Sequence, residues 1–328
     1  METLFIGQRE VPDLLPMADC IEAVRQALAD LARGNGIQPL RPVMWLPERV
    51  GALGMMPGYL GSIETMGIKT VTVFPGNAGT EYDSHQGTVM LFDAENGRLK
   101  AVIDATEITS IRTAAASAVA TDQLARTDSS VLAVLGAGVQ GGAHIEAIPL
   151  VRDIEDIRVW SRTADSARRL AERDERAHVA NSVSEAVAGA DIVCTTTASP
   201  EPILTGDILE PGMHVNAVGS SVPFARELDS DAMDRSRIFV DRRESTINES
   251  GDFLMARNDG VIDEDDIVAE VGELIVDSHP GRESDSEVTL FVSLGLAVED
   301  IAAGHLVYRN ALESAQGVSM DFGGTRHG

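Results

Sequence analysis

The sequence predicts an α/β protein in which a doubly wound parallel sheet follows a separate α+β domain. Two observations predict this fold class. An apolar strand pattern, Val131–Leu135, runs into the motif Gly136-x-Gly138-x-x-Gly141 and then into a helical pattern. From there on, short apolar strands alternate with helices, which is typical of a doubly wound sheet. About 130 residues precede the motif, so we expect another domain to come first.

The residues before the motif predict a mixture of helix and sheet. Apolar residues at helical spacing predict a helix over 18–33, which Gly34-Asn-Gly36 ends. The predicted β runs are 41–45, 68–74, 88–92 and 99–103. Asp93–Gly97 resembles a hairpin turn before the last of these runs. An alanine-rich helix is predicted over 108–125, beginning near Thr109.

The residues after the motif predict alternating strands and helices. The predicted strands are 131–135, 157–161, 191–195, 214–218 and 237–240, and the predicted helices are 138–150, 163–173 and 183–188. Beyond Gly251 the chain is acidic and its pattern is helical. We expect one long apolar helix over 289–308. Residues 317–328 have no periodicity and predict a mobile end.

Composition and charge exclude several classes of protein. The 328 residues, 44% hydrophobic and 24% charged, suffice for two domains, each with its own core. Acidic residues number 52 and basic ones 26, for a net charge of −26. This excess repels phosphates and anionic lipid, so we expect neither a nucleic acid nor a membrane as partner. Only Lys69 and Lys100 are lysines. We interpret the acidic, lysine-poor composition as halophilic; a merely acidic soluble protein is the alternative.

The cysteines and the first residues predict a cytoplasmic protein. Cys20 and Cys194 are the only cysteines, too few for a disulfide framework or a metal cluster, and we expect no metal. Residues 1–10 lack the basic and apolar regions of a signal peptide. No charge-free apolar run reaches the length that spans a membrane.

The glycine motif in this strand-turn-helix context is the fingerprint of a Rossmann dinucleotide-binding turn. Gly138 begins the helix without a side chain that would obstruct a pyrophosphate, and the helix N-terminus attracts that anion. Gly141 lets the helix approach the strand. We therefore expect Gly136, Gly138, Val139, Gln140 and Gly141 to bind the cofactor. The alternative is a glycine turn in an unrelated α/β domain.

The tip of the second strand of this domain favours NADP(H) over NAD(H). An acidic residue there would bind the ribose hydroxyls of NAD. The sequence instead has Ser161-Arg162-Thr163, whose guanidinium and hydroxyls suit a 2′-phosphate. The alternative is that Arg162 is an ordinary surface arginine and that NAD(H) binds.

Three basic residues in the first domain predict a substrate site. Lys69 lies within an apolar β run, where burial lowers the pKa of a lysine and suits it to proton transfer. Arg41 lies beside Pro42 in another run, and Arg112 lies in a helix start of small residues. Such arginines commonly bind a carboxylate. For each residue alone, a structural ion pair is the alternative.

The sequence resembles the ornithine cyclodeaminase/μ-crystallin family over nearly its whole length. The resemblance rests on the stretches 68–77, 84–86, 111–115, 136–141, 214–219, 227–229, 284–291 and 293–300. It implies a homodimer whose split first domain, residues 1–116 with 300–328, serves substrate binding and dimerisation. Residues 117–299 would form the Rossmann NAD(P)-binding domain.

The resemblance also implies roles for individual residues. Lys69 and Arg112 match catalytic positions. The positions that match the substrate site are Arg41, Lys69, Arg112, Ser221 and Leu294. The positions that match the surroundings of the cofactor are Ser84, His85, Arg112, Thr197, Val218 and Ser293.

One departure from the family pattern bears on the reaction. Cyclodeaminases have an aspartate where this chain has Ser221, and a serine cannot act as a carboxylate base. The sequence therefore favours an NAD(P)H-dependent oxidoreductase that acts on the C–N bond of a small imino or amino acid, as a ketimine reductase or alanine dehydrogenase does. The alternatives are an ornithine cyclodeaminase, which forms proline and ammonia, and a non-catalytic NADPH-dependent binding protein of μ-crystallin type.

Overall fold

The computed structural model describes residues 2–77 and 79–323. The chain divides into two compact units, one formed by Met1–Arg112 with Leu296–Gly328 and the other by Thr113–Gly295. The expected boundaries at 116/117 and 299/300 lie four residues beyond these divisions. Among the described helices, none combines the length and hydropathy needed to cross a bilayer.

The first unit is an α+β unit built on a mainly antiparallel sheet. Its strands are β1 (Glu2–Ile6), β2 (Gly36–Ile37), β3 (Val43–Trp45), β4 (Ala52–Leu60), β5 (Thr65–Val73), β6 (His85–Asp93), β7 (Leu99–Asp104) and, late in the chain, β16 (Val318–Asp321). Their order is β16-β1-β7-β6-β5-β4-β2, with β3 paired to β4. Among the described strands of this sheet, the β1–β7 pair alone is parallel.

The helices of the first unit are α1 (Val11–Leu14), α2 (Met17–Ala32), the start of α3 (Ala105–Leu124) and α11 (Ala297–Ser314). Helix α11 packs closely on the sheet, because a Cβ added at Gly67 would lie 3.0 Å from Ile301. In β5 the side chains of Thr65 and Lys69 lie on the buried face together with Gly67, as the two-residue period of a strand requires. Lys69 therefore faces the same side of the sheet as α11.

The second unit is a doubly wound parallel sheet. Its strands are β8 (Val131–Leu135), β9 (Asp156–Trp160), β10 (Ala177–Val179), β11 (Ile192–Thr195), β12 (His214–Ala217), β13 (Arg237–Val240), β14 (Ile267–Glu270) and β15 (Thr289–Val292). The order is β10-β9-β8-β11-β12-β15-β13-β14, and the pairs are parallel. The chain moves outward from β8 to β10 and returns at β11, so the strand order reverses between β8 and β11.

Short helices connect these strands. They are α4 (Val139–Ala147), α5 (Ala164–Ala171), α6 (Val183–Val187), α7 (Ser230–Asp234), α8 (Arg243–Glu249), α9 (Gly251–Asn258) and α10 (Val271–Ile275). Helix α3 extends from the first unit into the second. The predicted Rossmann-type α/β fold with a second α+β part is thus confirmed.

The expected helix over 289–308 was wrong in its first part. Residues 289–292 form β15, a buried strand between β12 and β13, and the helix begins only at Ala297. A short apolar run fits a central parallel strand as well as a buried helix, and periodicity does not separate the two. Gly295, with φ +78°, separates strand from helix. The strands β1, β2, β4, β10 and β14 were not predicted from the sequence, and the predicted start of α3 lies three residues too late.

The expected mobile end was wrong for residues 318–321. They form β16, which pairs antiparallel with Glu2–Phe5. Phe322 contacts the ring of Phe5 edge to face, with 5.7 Å between the ring centroids. Residues 324–328 lie outside the described residues.

Ending the chain after Gln316 should therefore lower its thermal unfolding midpoint, because β1 would lose its outer neighbour. A chain ending after Gly323 keeps β16 and serves as the control. We expect a drop of several degrees for the shorter chain alone, measured by circular dichroism. Equal midpoints for the two truncated chains would show that β16 contributes nothing to stability.

Candidate functional site

The first unit contains a buried cluster of two cations and two carboxylates. Lys69 Nζ donates to Asp300 Oδ1 at 3.0 Å and to Thr109 Oγ1 at 3.3 Å. Arg112 Nε donates to the same Asp300 oxygen at 2.8 Å, and its Nη1 donates to Glu299 Oε2 at 2.7 Å. All four charged side chains are at least 95% buried. The charges balance, two against two, as burial of ions requires.

Three elements distant in sequence bring this cluster together. Lys69 comes from β5, Arg112 from α3, and both acids from the first turn of α11. The positive end of the helix dipole favours carboxylates in a first turn. Glu299 also accepts from the backbone N–H of Leu296 at 3.2 Å, which caps the helix.

The cluster perturbs the acidity of both basic side chains. Burial, together with the charge of Arg112, lowers the pKa of Lys69 to about 8, although Asp300 acts in the opposite direction. Burial also disfavours the charged form of Arg112, but Asp300 and Glu299 outweigh it and raise the pKa of Arg112. A lysine with this pKa can exchange a proton near neutral pH.

The sequence predicts roles for Lys69 and Arg112 but none for Glu299 and Asp300. Both acids lie at the end of a stretch that resembles the family. The available signal was their position, since two adjacent acids lie between the apolar residues 297–298 and 301–303. Asp300 Oδ2 is buried and has no hydrogen-bond partner among the described residues.

The other candidates of the first unit lie on strands or next to them. Arg41 is partly buried and precedes β3 by two residues, so it lies outside the strand in which it was expected. Ser84 and His85 are at the start of β6, and Ser84 Oγ lies 3.1 Å from His85 Nδ1. Desolvation and the positive charge of Lys69 lower the pKa of His85. The structure therefore brings His85 into the electrostatic range of Lys69.

The glycine turn of the second unit has the geometry of a dinucleotide turn. Gly136 has φ +123°, and a Cβ there would lie 2.7 Å from the Thr196 carbonyl oxygen. A Cβ at Gly141 would lie 2.1 Å from the Gly136 carbonyl oxygen, so only glycine allows this approach of helix to strand. Gly138 is the N-cap of α4, and a Cβ there would meet nothing within 4 Å.

Space beside Gly138 and the positive end of the α4 dipole together fit a pyrophosphate. Val139, the first residue of α4, is 70% exposed, which is unusual for a valine. Gln140 and Gly141 follow it in the first turn.

The remaining cofactor candidates of this unit lie at one edge of its sheet. Ser161, Thr197, Val218 and Ser293 each follow the carboxyl end of a strand by one or two residues, namely β9, β11, β12 and β15. Since these strands are parallel, the four residues share the edge at which Gly136 follows β8. Ser293 Oγ is buried and has no hydrogen-bond partner among the described residues.

Two further candidates lie near this edge. The buried residue Leu294 donates its backbone N–H to Asp241 Oδ2 at 2.7 Å. Ser221 is partly buried in the segment that follows β12. The neighbouring Ser220 Oγ donates to the Ala225 carbonyl oxygen, which closes this segment into a turn.

Arg162, two residues after β9, has a guanidinium without a partner among the described residues. Arg162 is exposed and forms no ion pair or hydrogen bond with any described residue. Thr163 is the N-cap of α5, and its backbone N–H donates to Ser161 Oγ at 3.3 Å. Nearby arginines of α5 do have partners, Arg168 with Asp165 and Arg169 with Ser166.

A buried carboxylate that the sequence analysis gave no role lies at the same edge. Glu227 is fully buried, and its oxygens accept hydrogen bonds from Thr195, Thr197 and Gly219. Burial raises its pKa to about 7, although the two threonines lower it. The neighbouring Asp252 is also buried, and its pKa is raised to about 6.

The glycine turn and the buried ion cluster agree with the family that the whole sequence matches. A model of the ornithine cyclodeaminase/mu-crystallin family matches residues 1–315. The chain belongs to this family. Ketimine reductase mu-crystallin of Mus musculus is 41% identical over 309 residues, which cover 93% of this chain and 96% of the relative.

Two solved structures share the fold over almost the whole chain. Thermococcus litoralis Δ1-pyrroline-2-carboxylate reductase, in complex with NADH and L-proline, has a TM-score of 0.93 and 36% identity, covering 96% of this chain and 99% of that chain. An archaeal alanine dehydrogenase dimer with bound NAD has a TM-score of 0.94 and 34% identity, covering 98% and 100%.

Arg112→Met should destabilise the protein strongly, because it removes the guanidinium that both buried carboxylates share. Breaking a buried ion pair from one side costs about 3–5 kcal/mol. The free energy of unfolding in urea measures the loss. Arg162→Met, at an exposed arginine without a partner, is the control and should change it by less than about 0.5 kcal/mol. Similar losses for both variants would contradict this account of the cluster.

Proposed function

We propose that this protein is an NAD(P)H-dependent reductase of small imino acids, working in reverse as an amino-acid dehydrogenase. The observation that carries the proposal is the buried Lys69, whose pKa is lowered to about 8 beside Arg112, in a chain that also has a complete dinucleotide turn. The similarity to a ketimine reductase, a pyrroline-2-carboxylate reductase and an alanine dehydrogenase supports it.

The residues of the first unit would bind and protonate the substrate. Arg41 and Arg112 would attract its carboxylate, Arg112 while it stays fixed by Glu299 and Asp300. Lys69, in its ammonium form, would give a proton to the substrate nitrogen, or receive one in the reverse direction. Asp300 holds the Lys69 ammonium in place at 3.0 Å. Ser221 and Leu294 are further substrate residues that the family resemblance implies.

The second unit would bind the dinucleotide. Gly136, Gly138 and Gly141 would hold its pyrophosphate, and Thr197, Val218 and Ser293 would line the sheet edge beside it. Ser84 and His85 are further cofactor residues that the family resemblance implies. When bound, the reduced nicotinamide supplies the hydride that the C=N carbon takes up.

We propose NADP(H) as the preferred cofactor and NAD(H) as the alternative. The support is local to this chain: Arg162 is exposed and unpaired, and Ser161 and Thr163 flank it at the tip of β9. A 2′-phosphate would find a guanidinium and two hydroxyls there, whereas a carboxylate suited to the ribose hydroxyls of NAD is missing from this tip.

We also propose a homodimer. One relative was solved as a dimer. In this chain an apolar surface at β3 is 41–56% exposed and comprises Val43, Met44, Trp45 and Val50. Such a patch marks an interaction surface. A mass near the chain's own 34.9 kDa in sedimentation equilibrium would contradict the dimer.

A substrate panel tests the function. Purified protein in high salt should oxidise NADPH with Δ1-pyrroline-2-carboxylate, Δ1-piperideine-2-carboxylate, or pyruvate plus ammonia. Formation of proline from ornithine without net change of the dinucleotide would instead establish the cyclodeaminase, against the evidence of Ser221. Binding of NADPH with no turnover of any substrate, and no effect of Lys69→Ala, would establish a binding protein.

Arg162→Ala should weaken NADPH binding far more than NADH binding, because only NADPH has the 2′-phosphate. Loss of one charge-assisted pair corresponds to about tenfold or more in affinity. Fluorescence titration of each reduced cofactor measures it, with Arg168→Ala as the control at an arginine already paired to Asp165. Equal losses for both cofactors would remove the basis for choosing NADP.

Imine reduction should slow as the pH rises through about 8. Lys69 has its pKa lowered to about 8, so above that pH its donor form disappears. We expect kcat/KM to fall about tenfold per pH unit, after correction for titration of the substrate nitrogen. Lys69→Arg should lose this inflection, since an arginine stays protonated. A wild-type profile that is flat to pH 10 would exclude Lys69 as the donor.

Gly138→Ala and Gly141→Ala should separate cofactor binding from folding. The methyl group at 138 meets no protein atom within 4 Å but would occupy the space of the pyrophosphate, so NADPH affinity falls while the unfolding midpoint is kept. The methyl group at 141 would lie 2.1 Å from a carbonyl oxygen, so the midpoint itself falls. Unchanged NADPH affinity in Gly138→Ala would move the cofactor away from this turn.

A further inference from the structure

Glu227 holds two loop starts at the cofactor edge of the parallel sheet. Oε1 accepts from the backbone N–H of Thr197 at 2.6 Å and from Thr197 Oγ1 at 2.6 Å. Oε2 accepts from Thr195 Oγ1 at 2.7 Å and from the backbone N–H of Gly219 at 2.7 Å. One carboxylate therefore fastens the chain just after β11 to the chain just after β12.

The approach is too close for any other residue at position 219. A Cβ there would lie 2.6 Å from the Glu227 carboxyl group and 2.0 Å from the Thr197 carbonyl oxygen. Glycine at position 219 thus permits the Glu227 carboxylate to contact the backbone there.

A second buried carboxylate fixes Glu227 itself. Asp252 Oδ1, from α9, accepts from the backbone N–H groups of Glu227 and Leu228 at 2.8 and 2.9 Å. The Glu227 carbonyl oxygen in turn accepts from the N–H groups of Ile203 and Leu204. Glu227 is held from both sides of its backbone, so its carboxylate is rigid.

We call Glu227 and its partners Thr195, Thr197 and Gly219 the clamp. Its position in the sheet decides which half of a bound dinucleotide it would influence. The glycine turn and the Arg162 tip follow β8 and β9, on one side of the strand reversal. Thr197 and Gly219 follow β11 and β12, on the other side. In a doubly wound fold the two nucleotide halves of a dinucleotide lie across this reversal. Glu227 would therefore lie beside the half of a bound dinucleotide that is opposite the adenosine.

We infer that Glu227 is a positioning residue that sets the place of the nicotinamide half of the dinucleotide, through Thr197 and the Gly219 turn. This inference rests on the proposed dinucleotide binding and adds to it a fully buried residue that would act through these two loops. Removing the clamp should loosen the nicotinamide half and leave the adenosine half bound.

Glu227→Gln is a sharp test because of how the four donors are divided. Each oxygen accepts one backbone N–H, and a backbone N–H cannot reverse its role as a hydroxyl can. In either orientation of the glutamine amide, its NH₂ group faces the backbone N–H of Thr197 or of Gly219. The hydrogen bond to that N–H is lost, and the loop that begins there is released. The matched control is Asp191→Asn. Asp191 Oδ2 accepts from the N–H groups of Ser130 and Val131, at the opposite edge of the same strands.

Two probes, ADP for the adenosine half and NADPH for the whole, are titrated by calorimetry into full-length variants. We expect Glu227→Gln to bind ADP within about twofold of wild type and NADPH about tenfold more weakly. Asp191→Asn should bind both as wild type does. Equal losses of ADP and NADPH in Glu227→Gln, or no loss of either, would overturn the inference.

A second variant and a wild-type control cover the cases in which Glu227→Gln alone would not decide. If Glu227→Gln does not fold, Thr195→Val removes one buried donor at constant shape and should weaken NADPH severalfold while sparing ADP; an unchanged NADPH affinity would overturn the inference. If the wild-type protein binds neither NADPH nor NADH, the proposed function fails first, and that result is distinct from a failure of Glu227.

Discussion

The ion cluster of Lys69, Arg112, Glu299 and Asp300 is the interaction on which the first unit depends. It joins residues 187 to 231 positions apart in the sequence, and so ties the late helix α11 to β5 and α3. Bringing four charges out of water is costly, and the cost is offset only because each cation meets a carboxylate at 2.7–3.0 Å. The same arrangement leaves one of the four, Lys69, poised to exchange a proton.

The proposed function gives this cluster a role beyond that of a structural ion pair. A hydrophobic core could replace a purely structural pair without loss of stability. Here burial lowers the pKa of Lys69, while Asp300 keeps its ammonium form accessible near neutral pH. A group balanced in this way suits proton transfer to nitrogen, whereas an exposed lysine would remain charged.

The second unit places its candidate residues by a different physical rule. In a parallel sheet every strand delivers its following residue to the same edge, so Gly136, Ser161, Thr197, Val218 and Ser293 converge although they span more than 150 positions. Glycines at the turn admit close backbone approach, and the buried carboxylate of Glu227 fixes two of the loops.

The sequence alone determined those features of the fold and of the site that depend on residues close together in the chain. The glycine turn, the alternation of strands and helices after Val131 and the scarce cations Lys69 and Arg112 are visible without coordinates. Only the tertiary structure decided the partners of those cations, the clamp of Glu227, the strand character of residues 289–292 and the pairing of β16. The physical reason is that each of these depends on which distant segment lies alongside: a short apolar run becomes a strand only between neighbouring strands, and a buried charge is revealed only by its counter-ion.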